Sequence, residues 1–313
     1  MGKGGKLQMT TLVKTKRKKH DFGEDNAMGY LLLMPWLIGF FAFTMYPLLS
    51  SLYFAFTKFD LLSTPEWVGL QNFKNIFIDQ RFYQSMKVTF IYVLVHVPLK
   101  LFFALCIAMI FNMKHRGQAV YRAVYYLPSI VGGSIAISVM WVQLFASQGP
   151  FNAILGHLGI AVSRNWIGDP NTALGMIIVL AIWQFGSPML IFLAGLKQIP
   201  ATYYEAAEMD GAGSFKRFIH ITLPSLSPVI FFNLLMQVIG AFMAFTQCYI
   251  VSNGTGGPSD TTLFYALYIY LEGIKYYKMG YACALAWIMV IIIGLITAFM
   301  FKTSDKWVFS ENK

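Results

Sequence analysis

The sequence has 313 residues, of which 57% are hydrophobic and only 12% are charged, whereas a typical soluble domain has about 25% charged residues. Its long runs of Leu, Ile, Phe and Met exclude a water-soluble protein, because a core of this size could not bury them. The formal net charge of +10 is partly due to Lys and Arg in residues 1–27. Because this basic tail precedes an apolar segment and no aromatic-basic surface accompanies it, we expect contact with membrane lipid and no nucleic-acid binding.

Six apolar segments follow, each near or above the ~20 residues that an α-helix needs to cross the hydrocarbon. They are predicted at residues 28–56, 88–111, 121–145, 172–196, 229–251 and 281–301. Since backbone groups in lipid must be hydrogen-bonded within their own segment, the prediction is an all-α membrane protein with six transmembrane helices. The first segment is too long for a signal-peptide core and should remain as an anchor. The aromatic stretch 263–277 predicts a short outer helix.

The distribution of Lys and Arg between the loops predicts the orientation of the chain. The side that carries both termini, the 114–116 loop and the 197–217 loop holds most of these residues. Loops rich in Lys and Arg face the cytoplasm. We therefore expect a cytoplasmic basic tail (1–27), a transmembrane domain (28–303) and a cytoplasmic C-terminal tail (304–313).

None of the six predicted spans contains Asp or Glu. A transporter driven by an ion gradient generally needs an ionisable group in the membrane, so this alternative is disfavoured. The chain also lacks a phosphate-binding glycine loop and any catalytic or metal-ligand cluster, which disfavours an ATPase or a membrane enzyme. Lys100 lies near the middle of the second span. Two interpretations of it stand: a side chain that snorkels or faces a bundle cavity, and a direct contact to the transported solute.

The hydrophilic loop at residues 200–224 predicts two helices joined by a sharp turn. Pro200 suits the start of a helix that continues over 201–210, and Gly211 suits its left-handed end. Ser214 is expected to cap a second short helix. Pro224 is expected to end this loop before the fifth span.

The first of these helices carries an acidic face, because Glu205 and Glu208 are three residues apart. Such a face requires a cationic partner, and Lys216 and Arg217 of the second element could reach acidic groups or lipid. Ala206 and Ala207 leave one side without bulk, so the helix could enter a groove on another protein.

The same loop resembles the signature of binding-protein-dependent ABC importer permeases. The match comprises Glu205, Ala206, Ala207, Gly211, Ile221, Leu223 and Pro224 at the spacing of that family. The resemblance implies a pair of coupling helices that docks into a cleft of a separate ATP-hydrolysing subunit. It implies that Glu205 is the acidic contact and Gly211 the turn, within a coupling set of Glu205, Ala206, Ala207, Asp210, Gly211, Leu223 and Pro224.

The resemblance extends over most of the chain, including the runs YLLLMPWLIGFF, EWVGLQNFKNIF, YRAVYYLPSIVGG and WQFGSPMLIFLAGLKQIP. These are similar to the larger-type permeases of maltose, glycerol-phosphate and multiple-sugar importers. The resemblance implies a type I importer permease fold in a bacterial or archaeal plasma membrane and a non-catalytic subunit. It also implies a second homologous permease, two copies of an ATP-binding subunit that hold ATP and Mg, and an extracellular or periplasmic solute-binding protein.

Neutral polar and aromatic side chains within the spans are the candidates for contact with a sugar. They are Ser129, Gly133, Trp183, Gln184, Phe185 and Gln237. Helix-breaking glycines and prolines accompany them, and broken helices at membrane depth often line cavities. The alternative for each polar residue is a hydrogen bond between helices. The solute itself, whether a sugar or another polar compound, is left open.

Overall fold

The computed structural model describes residues 22–113, 117–160 and 163–309, with side chains from residue 28 onward. Most of the predicted basic tail, the loop residues 114–116 and the last four residues of the predicted 304–313 tail lie outside this range. The chain divides into two compact units, Met1–Ser50 and Ser51–Lys313. The boundary falls within an apolar helix, so each unit is described by itself.

The described part of the first unit is helical. It comprises α1 (Phe22–Phe40), a π-helical turn (Phe41–Met45) and the start of α2 (Tyr46–Ala55). The rings of Trp36 and Phe40 stack with their centroids 5.3 Å apart, which is the i, i+4 contact of one helix face.

The second unit is mostly helical and contains one short ribbon. Its first half consists of β1 (Thr57–Lys58), β2 (Glu66–Trp67), α3 (Gln71–Ile78), α4 (Gln80–Asn112), α5 (Gln118–Val131), α6 (Ile135–Leu144) and α7 (Pro150–His157). Its second half consists of α8 (Ala173–Trp183), α9 (Gly186–Gln198), α10 (Ala201–Met209), α11 (Ser214–Arg217), α12 (Leu223–Phe242), α13 (Thr246–Val251), α14 (Tyr265–Tyr270) and α15 (Met279–Ser304). π-Helical turns at Phe218–Thr222 and Leu271–Lys275 join α11 to α12 and follow α14.

Within the described residues, four helical segments are long and apolar enough to cross a membrane. They are Met28–Ala55, Gln80–Asn112, Ser214–Val251 and Met279–Ser304. The pairs α5/α6 and α8/α9 bring the number to as many as six if each pair is one span. The expected mostly helical membrane fold is therefore observed.

Two of the predicted spans are broken in the structure, beside glycines and a proline that the sequence marks as helix-breaking. The helices of the 121–145 segment meet at 96°, and those of the 172–196 segment meet at 41°. The first break falls at Gly132–Ser134 and the second at Gln184–Phe185, just before Gly186 and Pro188. Apolar length alone predicts where a span lies, but it does not predict whether its axis continues.

Two further expectations about the 200–224 loop require correction. Ser214 is the first residue of α11, and Gly213 occupies the cap position. Pro224 does not end the loop, because the helix continues from α11 through the π-helical turn into α12. The amide of Leu223 donates to the Phe218 carbonyl and closes that wide turn. Proline has no N–H to donate, and it is tolerated in the first turn of a helix.

The long helix α4 lies at the centre of the second unit, where it contacts α8, α9, α12 and α14. Its buried positions include Val93, Val97, Leu101, Ala104 and Ala108. Close packing continues between α9 and α12 at Gly195. A Cβ at this glycine would lie 2.8 Å from Leu226 and from Val229, so the small residue sets the helix separation.

The β1–β2 ribbon was not predicted by the all-α interpretation. Thr57 pairs with Trp67 and Lys58 pairs with Glu66 in antiparallel register. The buried Asn72 amide donates to the carbonyls of Ala55 and Thr57, both at 2.9 Å. A two-residue strand is too short to show an alternating pattern, so sequence reasoning had no signal for it.

A partly buried polar network joins the start of α4 to the insert between α13 and α15. Asp79 caps α4 by accepting from the Arg81 amide at 2.9 Å. The same carboxylate accepts hydrogen bonds from the hydroxyls of Tyr268 and Tyr281. Arg81 in turn forms a two-pronged ion pair with Asp260, with both contacts at 3.1 Å. These contacts link segments almost 190 residues apart in the sequence.

Asp79→Ala should destabilise the protein by about 1–3 kcal/mol, because two tyrosine hydroxyls and a helix end lose their acceptor. Burial raises the pKa of Asp79, but the hydrogen bonds from Tyr268, the Arg81 amide and Tyr281 lower it further, so that it lies below its ordinary value. A group with a lowered folded pKa stabilises the protein above its ordinary pKa and loses that contribution as the pH falls through the folded value.

The measurement is the Tm of the detergent-solubilised protein against pH. The difference between wild type and Asp79→Ala should be constant near neutral pH and should shrink below about pH 4. Glu66→Ala, which removes an exposed carboxylate, is the control and should leave the Tm unchanged. A difference that grows in acid would contradict the assigned role of Asp79.

Candidate functional site

The 200–224 loop forms a compact bracket of two helices. The first, α10, ends in a turn where the Ala212 amide donates to the Ala207 carbonyl at 2.9 Å and the Gly211 amide donates to the Glu208 carbonyl at 3.0 Å. This bonding pattern is a Schellman motif, which requires a left-handed residue. Gly211 adopts that conformation with φ of +74°, as the sequence predicts.

The two helices of the bracket are held together by an ion pair. Arg217 donates to Glu208 at 3.0 Å, so Glu208 obtains its cationic partner from within the bracket. Tyr204 and Thr222 add a hydrogen bond of 2.9 Å between their hydroxyls. These contacts fix the angle between α10 and α11.

The remaining groups of the bracket face outward. Glu205, Ala206 and Asp210 are exposed, and within the described residues the Glu205 carboxylate has no ion-pair or hydrogen-bond partner. Met209 is 90% exposed and Phe215 is 77% exposed. An unpaired carboxylate beside two exposed apolar side chains is typical of a surface that is covered by another protein.

A single helical path leads from the bracket into the spans. Leu223 and Pro224, which the signature singles out, lie in the first turn of α12 at the junction with the π-helical turn. The segment Ser214–Val251 is 38 residues long. The residues of α11 at one end and the residues of α12 within the bundle therefore lie on one helical segment.

The two broken spans are tied together where their helices stop. The Ser129 hydroxyl donates to the Gln184 carbonyl at 2.9 Å and accepts from the Ser187 amide at 3.0 Å. The Gln247 amide donates to the Gly132 carbonyl at 3.3 Å, and Ser134 caps α6. Backbone groups freed by a break inside a membrane must find such partners.

Glycine is required where these broken helices touch. A Cβ at Gly186 would lie 2.6 Å from the Tyr125 carbonyl oxygen and 2.8 Å from the Tyr126 Cα. A Cβ at Gly132 would overlap the Gln184 side chain and lie 2.5 Å from the Pro128 carbonyl oxygen. The chains of α5 and α9 thus approach each other more closely than residues with a side chain would allow.

The breaks open onto a polar cavity of about 290 Å³ between α4, α8, α12 and α13. Three of the predicted substrate-pathway residues, Gly133, Gln184 and Gln237, lie in its wall. The wall also contains His96, Lys100, Thr246 and Gln247, together with the small residues Gly240, Ala241 and Ala244.

Three other predicted pathway residues have different surroundings. Ser129 makes the hydrogen bonds between helices described above, which was the alternative for each polar candidate. Trp183 and Phe185 line a separate, largely apolar pocket of about 370 Å³ with residues of α5, among them Tyr125 and Pro128. Neither Trp183 nor Phe185 is among the residues that line the polar cavity.

The sequence left open that Lys100 faces a bundle cavity, and the structure adds Tyr92 and His96 to the same wall. Tyr92, His96 and Lys100 follow each other at i, i+4 and i+8 along α4, so they share one helix face. The rings of Tyr92 and His96 stack with centroids 4.8 Å apart. The available signal was this polar stripe in an otherwise apolar span.

The long spans, the two broken helices around a polar cavity and the protruding bracket define a multi-pass membrane permease. Residues 89–310 match the family described as "Binding-protein-dependent transport system inner membrane component". This match covers more than half of the chain, so the chain belongs to this family. It is a non-catalytic permease component of an ABC transporter.

Individual relatives agree with this assignment. The chain is 52% identical over 298 residues to the probable ABC transporter permease protein YesP of Bacillus subtilis (strain 168), covering 95% of this chain and 96% of the relative. It is 31% identical over 278 residues to the lactose transport system permease protein LacF of Rhizobium radiobacter, covering 87% and 92%.

A solved structure shares the fold. It is a chain in the crystal structure of a bacterial alginate ABC transporter in complex with an alginate pentasaccharide-bound periplasmic protein. The TM-score is 0.75 at 22% identity, with 90% of this chain and 95% of that chain covered. At this identity the likeness establishes the fold.

Gly186→Ala should destabilise the solubilised protein by about 1–3 kcal/mol, because the added methyl group has no space against the α5 backbone. Gly133→Ala is the matched control: a Cβ at Gly133 meets nothing within 4 Å, so its stability should be unchanged. Thermal unfolding of both variants checks the result. Equal Tm values for the two variants would show that α5 and α9 do not pack this closely.

Proposed function

We propose that this chain is one of two permease subunits of an ATP-driven importer for a sugar, oligosaccharide or related glycosyl solute. The pathway would lie between this chain and a second homologous permease. Two copies of an ATP-binding subunit, with ATP and Mg, would supply the energy, and an extracellular or periplasmic protein would deliver the solute. The likeness to a permease of a lactose transport system and to an alginate transporter with a periplasmic protein supports this assembly.

The exposed bracket of α10 and α11 is the observation on which the coupling proposal rests. Its unpaired Glu205 and its apolar Met209 and Phe215 form a surface suited to a groove on the ATP-binding subunit. The ion pair of Glu208 with Arg217 and the hydrogen bond of Tyr204 with Thr222 connect the two helices, so that a movement of the ATPase would displace both together. The continuous helix from Ser214 transmits this displacement to α12, whose residues Gln237 and Gly240 border the cavity.

The cavity is suited to a neutral polar solute. Amides of Gln184, Gln237 and Gln247 and the hydroxyl of Thr246 offer both donors and acceptors to sugar hydroxyls. Gly133, Gly240 and Ala244 leave space between them. An ion-coupled alternative finds no support, since no carboxylate lies in this wall.

The orientation follows from the same proposal. The bracket and both chain termini would face the cytoplasm of a bacterium or archaeon, since ATP is hydrolysed there. The insert that contains α14 would face outward, toward the solute-binding protein. Labelling of a cysteine introduced at residue 209 should then require a permeant reagent in intact cells.

Glu205→Lys should abolish solute-stimulated ATP hydrolysis by the assembled transporter. The substitution replaces the carboxylate that would contact the ATP-binding subunit with a positive charge. Membrane insertion and pairing with the second permease should remain intact. Glu66→Lys makes the same charge change in the β1–β2 ribbon and should leave hydrolysis unaffected. Normal hydrolysis by the Glu205→Lys transporter would refute the coupling role.

A large side chain at Gly240 should block the pathway without disturbing the fold. A Cβ there meets nothing within 4 Å and would point into open space in the cavity wall. Gly240→Phe should therefore reduce uptake at least tenfold while basal ATP hydrolysis persists. Gly294→Phe in α15 is the control, since Gly294 is equally unobstructed but does not line the cavity. Equal uptake by both variants would place the pathway elsewhere.

A further inference from the structure

Lys100 lies too far from the end of α4 for its ammonium group to reach the membrane surface by snorkelling. It lies 12 residues before the end of the helix at Asn112, and a rise of 1.5 Å per residue places it about 18 Å from that end. This distance exceeds the reach of a lysine side chain. The side chain is half-buried and borders the polar cavity, so the cavity is where its ammonium group finds a polar environment.

Among the residues that the structure describes, the Lys100 ammonium group has no counter-ion. Within the described residues Lys100 forms no ion pair and no hydrogen bond. None of the cavity-lining residues is Asp or Glu, and α4, α8, α9, α12 and α13 contain neither. A charge at this depth is costly unless it is paired or solvated.

A second polar side chain beside Lys100 is also without a partner. His96 is 4% exposed, and neither ring nitrogen makes a well-formed hydrogen bond, although the Ala181 backbone lies close. One turn of helix separates it from Lys100, and both residues line the same cavity. Native proteins rarely leave buried polar atoms unpaired, and those that are unpaired often mark sites completed by a ligand.

We propose that the cavity selects an acidic saccharide and that Lys100 is the residue that pairs with its carboxylate. The sugar hydroxyls would be bound by the glutamine amides of the wall, and His96 would donate to or accept from the same solute. This inference rests on the proposed sugar import and names its substrate class. A neutral sugar would leave the ammonium group unpaired. A uronate would itself supply the negative charge that no protein carboxylate in the cavity wall provides.

The test is uptake by proteoliposomes that contain the complete transporter with its solute-binding protein. The probes are uronate disaccharides, each paired with the neutral disaccharide in which a hydroxymethyl group replaces the carboxylate. Wild type should import uronate probes at least tenfold faster than their neutral counterparts. Lys100→Met should lower uronate uptake at least tenfold, and Lys100→Arg, which retains the charge, should remain within about threefold of wild type.

Two controls separate a specific effect from a folding defect. Lys87→Met removes an exposed lysine from the same helix outside the cavity, and it should transport as wild type does. The Tm of the Lys100→Met transporter should not fall below that of wild type. If Lys100→Met does not assemble, Lys100→Gln provides the same loss of charge with a polar side chain.

The outcomes distinguish this inference from the proposed function. Import of neutral probes as fast as uronates, or a Lys100→Met transporter that retains uronate uptake, overturns the role of Lys100 and leaves sugar import standing. Failure of wild type to import any probe of either kind overturns both. Selective loss of uronate uptake in Lys100→Met, with Lys100→Arg active, supports both.

Discussion

The architecture depends on how backbone groups are satisfied where transmembrane helices break. Each freed amide or carbonyl in a hydrocarbon environment costs several kcal/mol if it has no partner. The Ser129 hydroxyl meets this requirement for two backbone groups of one break, since it contacts the Gln184 carbonyl and the Ser187 amide across the α8/α9 junction. This arrangement requires α5 and α9 to be in near contact, which in turn requires Gly186. The polar cavity lies beside the two breaks, and its wall includes Gly133 from one break and Gln184 from the other.

An uninterrupted helical segment connects the exposed bracket to the helix α12, whose residues line the cavity. The bracket is fixed internally by the Gly211 turn and by the Arg217–Glu208 pair. Beyond it the chain passes through a π-helical turn without interruption into α12. A π-turn widens a helix locally and is frequent at functional sites. Here it lies at the junction of bracket and span, so a rotation of the bracket would be converted into a displacement of α12 at this turn.

The positions of the spans and of the bracket turn could be predicted from the sequence. The contacts between the helices could not, because they depend on tertiary packing. Apolar length located the spans, and the glycine at 211 located the turn, because both are local properties. Helix-breaking glycines marked the breaks at Gly132 and Gly186 in the sequence. The angles of these breaks, the continuity through Pro224 and the apolar surroundings of Trp183 and Phe185 depend on which neighbour each helix meets. The stripe of Tyr92, His96 and Lys100 was visible in the sequence, but only the fold shows that it faces the glutamines of α8, α12 and α13.

The distribution of charge completes the physical description of the molecule. Ion pairs and carboxylate networks lie toward the ends of the bundle, where Arg81 meets Asp260 and Arg217 meets Glu208. These ion pairs stabilise surfaces that partner proteins can contact. They do not line the cavity, so they would not contact a transported molecule there. Among the described residues, Lys100 places an ammonium group without an ion pair in the interior, beside an imidazole without a well-formed hydrogen bond. A resident carboxylate would neutralise this site permanently and would compete with the solute. A cavity whose charge is balanced only when occupied can instead bind an anionic solute and release it once a conformational change admits water to Lys100.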